Sequence, residues 1–378
     1  LLSRALGAGE SIQTFLDNTM ARKYNALQLD GFTFEPFMQT DFTYEQIVGE
    51  LGLNPMAQYY DVDSPALPDG TLGFEAYTGK IPRMKKVEYF NEDKLRKMKL
   101  VEDRKSTTAS QIAEIAYQQL FITVDKLIGG HTNSLTYQRH QAVSTGKFVI
   151  DNTNNPKGVK NITLDYHIPA VNKTTLSDAA RWWTSSTHTQ INEGGSSNPV
   201  KDLTDIVAKA RYAGVRGHFE VEIDYLKECL GHSKILAAIG TSMLPASDST
   251  AQVAYARIQP WEVLKARLEA IIGAPIKAID SLVPVESISK NEKAFVRQNI
   301  NAFNKNVWVF VPDGEIGVVK TVEPIAIEGG NYGSFYGGKL LLTVGVDFVK
   351  KCQSYNTEMT SLVIPTATRY MYYLYPNA

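Results

Sequence analysis

Residues 80–105, KIPRMKKVEYFNEDKLRKMKLVEDRK, hold ten Lys and Arg against five Asp and Glu, in a chain whose formal net charge is only −1. No self-contained unit closes easily over such a stretch, so it constrains the fold more than any other feature. An arm built for nucleic acid is almost purely basic, yet Glu88, Glu92, Asp93, Glu102 and Asp103 interrupt this one. A membrane-surface helix carries a wide apolar stripe, which Ile81, Met84, Val87, Tyr89, Phe90, Leu95, Met98 and Leu100 do not form. A long two-stranded ribbon fits better, because the flanks alternate in part and Asn91–Asp93 supply turn formers for a fold-back near FNEDK. Such a ribbon is marginal alone in water. It needs a partner surface, and its mixed charge suits one selected by electrostatic complementarity.

The remainder of the chain can fill real cores. Its 378 residues, 43% of them hydrophobic, suffice for two or three domains. With 39 Lys and Arg against 40 Asp and Glu, a protein that binds nucleic acid over its whole surface is excluded. Cys229 and Cys352 lie far apart without a CxxC or Cys/His pattern, so two buried thiols in a reducing compartment are expected. No apolar run is long enough to span a membrane. No basic-then-apolar segment opens the chain, and synthesis in a cytoplasm is expected.

Residues 1–75 scatter Phe32, Phe34, Phe37, Phe42, Tyr44, Tyr59 and Tyr60 among recurrent Pro and Gly, with no sustained period. They are expected to form an extended arm lying on another surface, with one short helix at TYEQIVGEL between a Thr43 cap and a Gly52 stop. Ile112, Ile115, Ala116, Leu120, Val124 and Leu127 then keep a helical period that Gly129-Gly130 is expected to end. A second helical piece, SLTYQRHQAVSTG, leads through Gly146 into a strand, KFVID. VKNITLDYHI alternates as a strand with one wet face. In VKDLTDIVAKARYAGV, Pro199 opens a helix whose apolar face is Val200, Leu203, Ile206, Val207 and Ala210. From residue 219, expected helices (FEVEIDYLKECLGH, WEVLKARLEAII) alternate with strand-like runs (IKAIDSLV, NVWVFVP), and strands at the C-terminal end close a sheet.

Searching for chemistry returns little. None of the histidines, His131, His140, His167, His188, His218 and His232, forms an H-E-x-x-H or similar ligand pair. GGNYGSFYGGK lacks P-loop spacing and is expected to be a loop at a contact surface. No G-x-S-x-G elbow occurs. Asp202 and Asp205 flank a helix start, where negative charge is favoured, and Glu220 and Glu222 are expected on a solvated face. No catalytic residue, metal or cofactor is expected.

The order of parts is an arm, a charged ribbon, a long helix, a small sheet, a compact α/β segment and a return to the sheet. It resembles the major capsid proteins of tailed bacteriophages with the HK97 fold, in particular the lambda-like major capsid protein E family. TYQRHQAVSTGKFVI resembles the family's Arg-bearing helix and its turn into a strand, with Arg139, Gly146 and Lys147. VKNITLDYHIP is similar to the strand with an Asp-aromatic pair, Asp165 and Tyr166. LSDAARWWTSS and SNPVKDLTDIVAKARYAGV resemble the tryptophan segment and the Asn/Asp-Pro helix start, with Trp182, Trp183, Asn198, Pro199, Asp202 and Leu203. VWVFVPDGEIGVVKTVEP resembles the late strand and tight turn, with Pro312, Gly314 and Gly317.

The resemblance implies an α+β fold divided into an N-terminal arm (1–75), an extended loop (76–106), a peripheral domain with a spine helix (107–200), an axial domain (201–340) and a C-terminal return (341–378). Arg83, Lys85, Lys86, Lys94, Arg96, Lys97 and Lys99 would then face neighbouring subunits. Arg139, Gly146, Asp165, Trp182, Pro199, Asp202 and Gly314 would be structural. The implied function is a head shell of hexamers and pentamers around double-stranded DNA, made in the host cytoplasm and ending in the virion. Its partners would be other copies of the chain, a scaffold, a portal and decoration proteins, with only weak non-specific contact to DNA and none to a membrane. Two other readings compete: an encapsulin-like compartment of the same fold, and an α/β enzyme with a site in 200–330.

Overall fold

A computed structural model describes residues 24, 26–49, 74–90, 92, 96, 109–156, 162–184, 188, 191–192, 196–244, 248–280, 282–288, 295–325, 331–347 and 352–377. Along the chain come β1 (Phe32–Phe34), β2 (Thr43–Gly49), β3 (Phe74–Lys80), β4 (Arg83–Phe90), α1 (Ala109–Thr145), β5 (Lys147–Ile150), β6 (Ile162–Asp165) and β7 (Lys173–Thr175). Next are α2 (Pro199–Tyr212), β8 (Gly217–Glu222), α3 (Ile223–Leu230), α4 (Ser233–Met243), α5 (Ser249–Arg257), α6 (Trp261–Ile272) and β9 (Ile276–Ile279). The remaining strands are β10 (Leu282–Ile288), β11 (Phe295–Asn301), β12 (Trp308–Pro312), β13 (Gly317–Val322), β14 (Asn331–Phe335), β15 (Leu340–Asp347), β16 (Cys352–Pro365) and β17 (Tyr372–Tyr375). The class is α+β. Two compact units share the chain: residues 1–44, 78–138 and 318–364 make the first, and 45–77, 139–317 and 365–378 the second.

In the first unit a sheet runs β1-β13-β16-β15-β14, with β4 also paired to β16. The first part of β16 is antiparallel to β15 on one side, from Leu340↔Met359 to Asp347↔Cys352, and to β4 on the other, from Arg83↔Thr360 to Phe90↔Gln353. Helix α1 turns Val124, Leu127, Ile128, His131, Leu135 and Gln138 into this unit's core, a 3–4 residue spacing that keeps them on one face. Gln138 acts as a pseudo-strand. Its Nε2 donates to Ser361 O (3.4 Å) and its Oε1 accepts from Val363 N (3.1 Å), satisfying β16 backbone groups that would otherwise be buried without a partner.

Helix α1 does not stop at Gly129-Gly130, which corrects the expected break. Two glycines cost the helix about 1 kcal/mol each relative to Ala, but the apolar stripe continues through them into Leu135, Ala142 and Val143. Gly130 also has a packing reason: a Cβ there would sit 2.8 Å from Lys86 Cδ. The expected end at Gly146 is observed, at φ +69°, and its N–H donates to Ala142 O at 3.0 Å. A Cβ on Gly146 would collide with Ile168 Cγ1, so both backbone angle and space demand glycine.

The second unit is built on a sheet of order β7-β17-β12-β8-β9. Here β12 is antiparallel to β17 and β8, while β17/β7 and β8/β9 are parallel. One face carries Phe219, Val221, Trp308, Phe310, Tyr372 and Leu374 into a core completed by Trp182, Leu203, Ile206, Leu226, Leu236 and Leu268. Helix α2 is the element expected: Asn198 caps it by accepting from Lys201 N, Pro199 opens it, and Leu203, Ile206 and Ala210 are buried. The strand β6 pairs antiparallel with β5 and alternates in burial, as expected.

Four other expectations are corrected. TYEQIVGEL is not a helix: Thr43–Gly49 is strand β2, paired with β3, and Tyr44, Ile47 and Val48 are residues that favour strands. Gly52 lies outside the described residues. The arm does not leave its aromatics to another surface throughout, since β1 pairs β13 and Phe32 and Tyr44 are buried. FEVE does not start a helix, because it belongs to β8 and α3 begins at Ile223. The Gly/Tyr-rich run is no open loop but the hairpin β14–β15, with Tyr336, Gly337 and Gly338 at positive φ in its turn.

Candidate functional site

Two groups of sequence-selected residues occupy separate places. The first lies on β4, whose burial alternates along its whole length. Met84, Lys86 and Glu88 face inward toward α1. Lys86 lies over Gly130 and its Nζ donates to Lys126 O (3.4 Å), while Lys126 Nζ meets Glu88 Oε2 at 3.4 Å. Arg83, Lys85, Val87 and Tyr89 face outward, with Val87 41% and Tyr89 54% exposed. Arg83 and Lys85 both pair with Glu358 of β16, so part of the positive charge is answered within the chain. The fold-back at Asn91–Asp93 is corrected: β4 takes β16 as its partner, and Glu92 and Arg96 are helical and form an i,i+4 pair (2.6 Å). Lys94, Lys97 and Lys99, and with them Tyr59 and Tyr60, lie outside the described residues.

The second group centres on Arg139 and Glu220. Arg139 is 3% exposed and Glu220 fully buried, and Nη1 and Nη2 donate to Oε2 (2.7 Å) and Oε1 (2.5 Å) in a two-pronged pair. Around Glu220 Oε1 stand His218 Nε2 at 3.6 Å and Lys277 Nζ at 3.8 Å. Burial pushes the Glu220 carboxyl up, but His218, Arg139 and Lys277 outweigh it and hold the pKa near 2. His218 is raised above its ordinary value by its bond to Glu220, against burial, and by a further bond to Asp313. Glu222, on the same face, caps α3 by accepting from Tyr225 N at 2.8 Å. The solvated face expected for Glu220 and Glu222 is thus overturned: Arg139 of α1 covers Glu220, and Glu222 is turned in to cap α3, leaving both buried.

The other residues singled out by the resemblance have these surroundings. Asp165 pairs with Lys147 (2.9 Å) across β5–β6 and accepts from His167 N (2.9 Å). Trp182 is fully buried and its Nε1 donates to Asp202 Oδ2 at 2.9 Å. Burial raises the Asp202 carboxyl, and the Trp182 bond offsets part of that rise. Gly314 takes φ +93° in the turn after β12. Cys229 and Cys352 are buried free thiols, as expected, and burial pushes the Cys229 thiol well up. Sequence reading missed Glu220 as the partner of Arg139. The available signal was two acids at every second position inside an apolar run, HFEVEI.

No family model and no curated protein matches this sequence. Among solved structures, a presumed capsid protein of a prophage in Escherichia coli CFT073 is similar, with TM-score 0.48, 10% identity, and coverage of 99% of this chain and 97% of that one. A phage-related protein from Bordetella bronchiseptica RB50 gives TM-score 0.42 and 13% identity over 99% of this chain and 95% of that one. The mature capsid of bacteriophage PhiM1 gives TM-score 0.41 and 10% identity over 93% and 87%. Among the described residues no helix is long and apolar enough to cross a membrane, and no group of His, Cys, Asp and Glu is placed to hold a metal.

Proposed function

We propose that this chain is a shell-forming subunit: a major capsid protein of a tailed bacteriophage, of HK97 type, that self-assembles into hexamers and pentamers around double-stranded DNA. The observation that carries the reading is β4 itself. It is an extended strand beside a 37-residue helix, and its outer face of Arg83, Lys85, Val87 and Tyr89 is cationic, aromatic and exposed among the described residues. Arg and Tyr on such a face are the residue types that anchor protein interfaces. The order of parts read from the sequence supports the same reading: arm 1–75, loop 76–106, peripheral domain 107–200 with the return 341–378, and axial domain 201–340.

On this reading Lys94, Arg96, Lys97 and Lys99 also serve contacts with neighbouring copies, and many weak contacts act together. The scaffold, portal and decoration proteins are its other partners, the virion is its destination, and the chain performs no catalysis. Negative-stain electron microscopy with light scattering tests it, on the chain expressed alone and with its neighbouring genes. Closed shells, tubes or capsomers are expected. Monomers or small dimers in both preparations overturn the reading. Lys85→Glu/Lys97→Glu/Lys99→Glu is expected to stop assembly while leaving the circular dichroism unchanged. Lys86 is kept, because its side chain packs on Gly130.

A further inference from the structure

The charged row on β8 reaches solvent at His218, which has a carboxylate on either side. Its Nδ1 lies 3.0 Å from Asp313 Oδ1 in the turn after β12, and its Nε2 lies 3.6 Å from Glu220 Oε1 inside the unit. A neutral imidazole has one N–H to offer the two carboxylates, whereas the imidazolium has an N–H toward each and a positive charge that attracts both. We propose that His218 is a proton-operated clasp: protonated, it holds the Pro312–Gly317 turn against β8, and on losing the proton it lets the turn loosen.

The surroundings support this role. Other charged or titratable groups that face this cluster are Arg139 and His140 from α1, Lys277 from β9 and Tyr373 from β17. Arg139 and Lys277 oppose a proton at His218, but both pair with Glu220, while the imidazole has Asp313 at hydrogen-bond distance and Glu220 at ion-pair distance. The net effect is a pKa above the ordinary histidine value. A raised histidine contributes its hold fully below about pH 6.5 and loses it as pH rises through the raised value. Among the described residues the turn is also tied by Asp313 N donating to Arg216 O (2.9 Å) and by Ile316 O accepting from Thr366 N (2.9 Å) and Ala367 N (3.1 Å). Gly314 at φ +93° gives the turn little stiffness of its own. Val318, just beyond it, begins the part of the chain that belongs to the other compact unit.

Hydrogen exchange read by mass spectrometry on the full chain tests the clasp, with rates corrected for intrinsic pH dependence. Protection of the 313–317 and 365–368 amides is expected to fall roughly tenfold between pH 6 and pH 8.5, about what separates a charge-assisted hydrogen bond from a neutral one. His218→Gln, which cannot titrate, is expected to show no such fall. Asp313→Asn, at an exposed position that folding tolerates, is expected to lose it as well. A flat profile in the wild type overturns the proposal, as does an undiminished fall in either variant. Shell formation is read separately by microscopy, so failure of the clasp leaves the capsid reading standing.

Discussion

Replacing Arg139 by Met leaves a carboxylate with no access to water beside only His218 and Lys277. Removing one partner of a buried ion pair costs about 3–5 kcal/mol, because the remaining charge keeps its desolvation penalty without its attraction. Two residual cations, at 3.6 and 3.8 Å, put Arg139→Met at the low end, about 3 kcal/mol. Glu220→Gln strips three positive groups of their shared anion and belongs at the high end, about 5 kcal/mol. Arg139→Met/Glu220→Leu removes both charges and fills the space with apolar atoms, so it is expected to cost less than either single change. Trp182, Trp183, Trp261 and Trp308 are the chain's four tryptophans and all lie in the second unit, so their fluorescence in urea isolates that unit's unfolding. With a urea dependence of roughly 2–3 kcal/mol per molar, Arg139→Met lowers the midpoint by about 1–1.5 M. A single-variant cost under about 1 kcal/mol, or a double variant as unstable as the two singles summed, refutes the reasoning.

Acid probes the same pair. Glu220 titrates near 2 when folded against an ordinary 4.5, so its stabilisation is complete above about pH 4.5 and is lost as pH falls toward 2. The fluorescence midpoint is expected to drop through that window, and less in Glu220→Gln. Gly146→Ala meets both a φ of +69° and Ile168, and is expected to cost roughly 2–4 kcal/mol in the same urea assay. Iodoacetamide at neutral pH is expected to label neither Cys229 nor Cys352 in the native chain and both in urea, because the two thiols are buried.

Where one chain segment decides its own structure, the sequence was enough. Helix α2 has its cap, its N1 proline and its apolar face within sixteen residues, and it forms as read. Gly146 was legible for the same reason. What escaped were outcomes set by partners distant in sequence. Gly129-Gly130 looks like a stop until the residues beyond it are seen to be held by β16, His131 on Thr357 and Gln138 on Ser361 and Val363. TYEQIVGEL has both helical and strand character, and pairing with β3 decides for the strand. Glu220 is an acid that local pattern assigns to solvent, and only Arg139, 81 residues away, explains its burial. The seven loop cations were chosen by composition, and composition cannot distinguish Lys86, folded inward over Gly130, from Lys85, which points out.

The position of β16 has a consequence for the order in which the chain matures during translation. Residues 352–359 run between β15 and β4, in the middle of their sheet. Until β16 has left the ribosome, some 270 residues after β4, that sheet lacks a central strand and β4 has no edge to join. At roughly 5–20 residues per second, β4 therefore waits about 14–54 s for its partner strand. Over that interval the strand proposed to engage neighbouring copies is not yet presented in its native form. Under the proposed assembly, competence arrives only with β16, so a nascent chain whose β16 is still unmade cannot offer a native β4 to other copies.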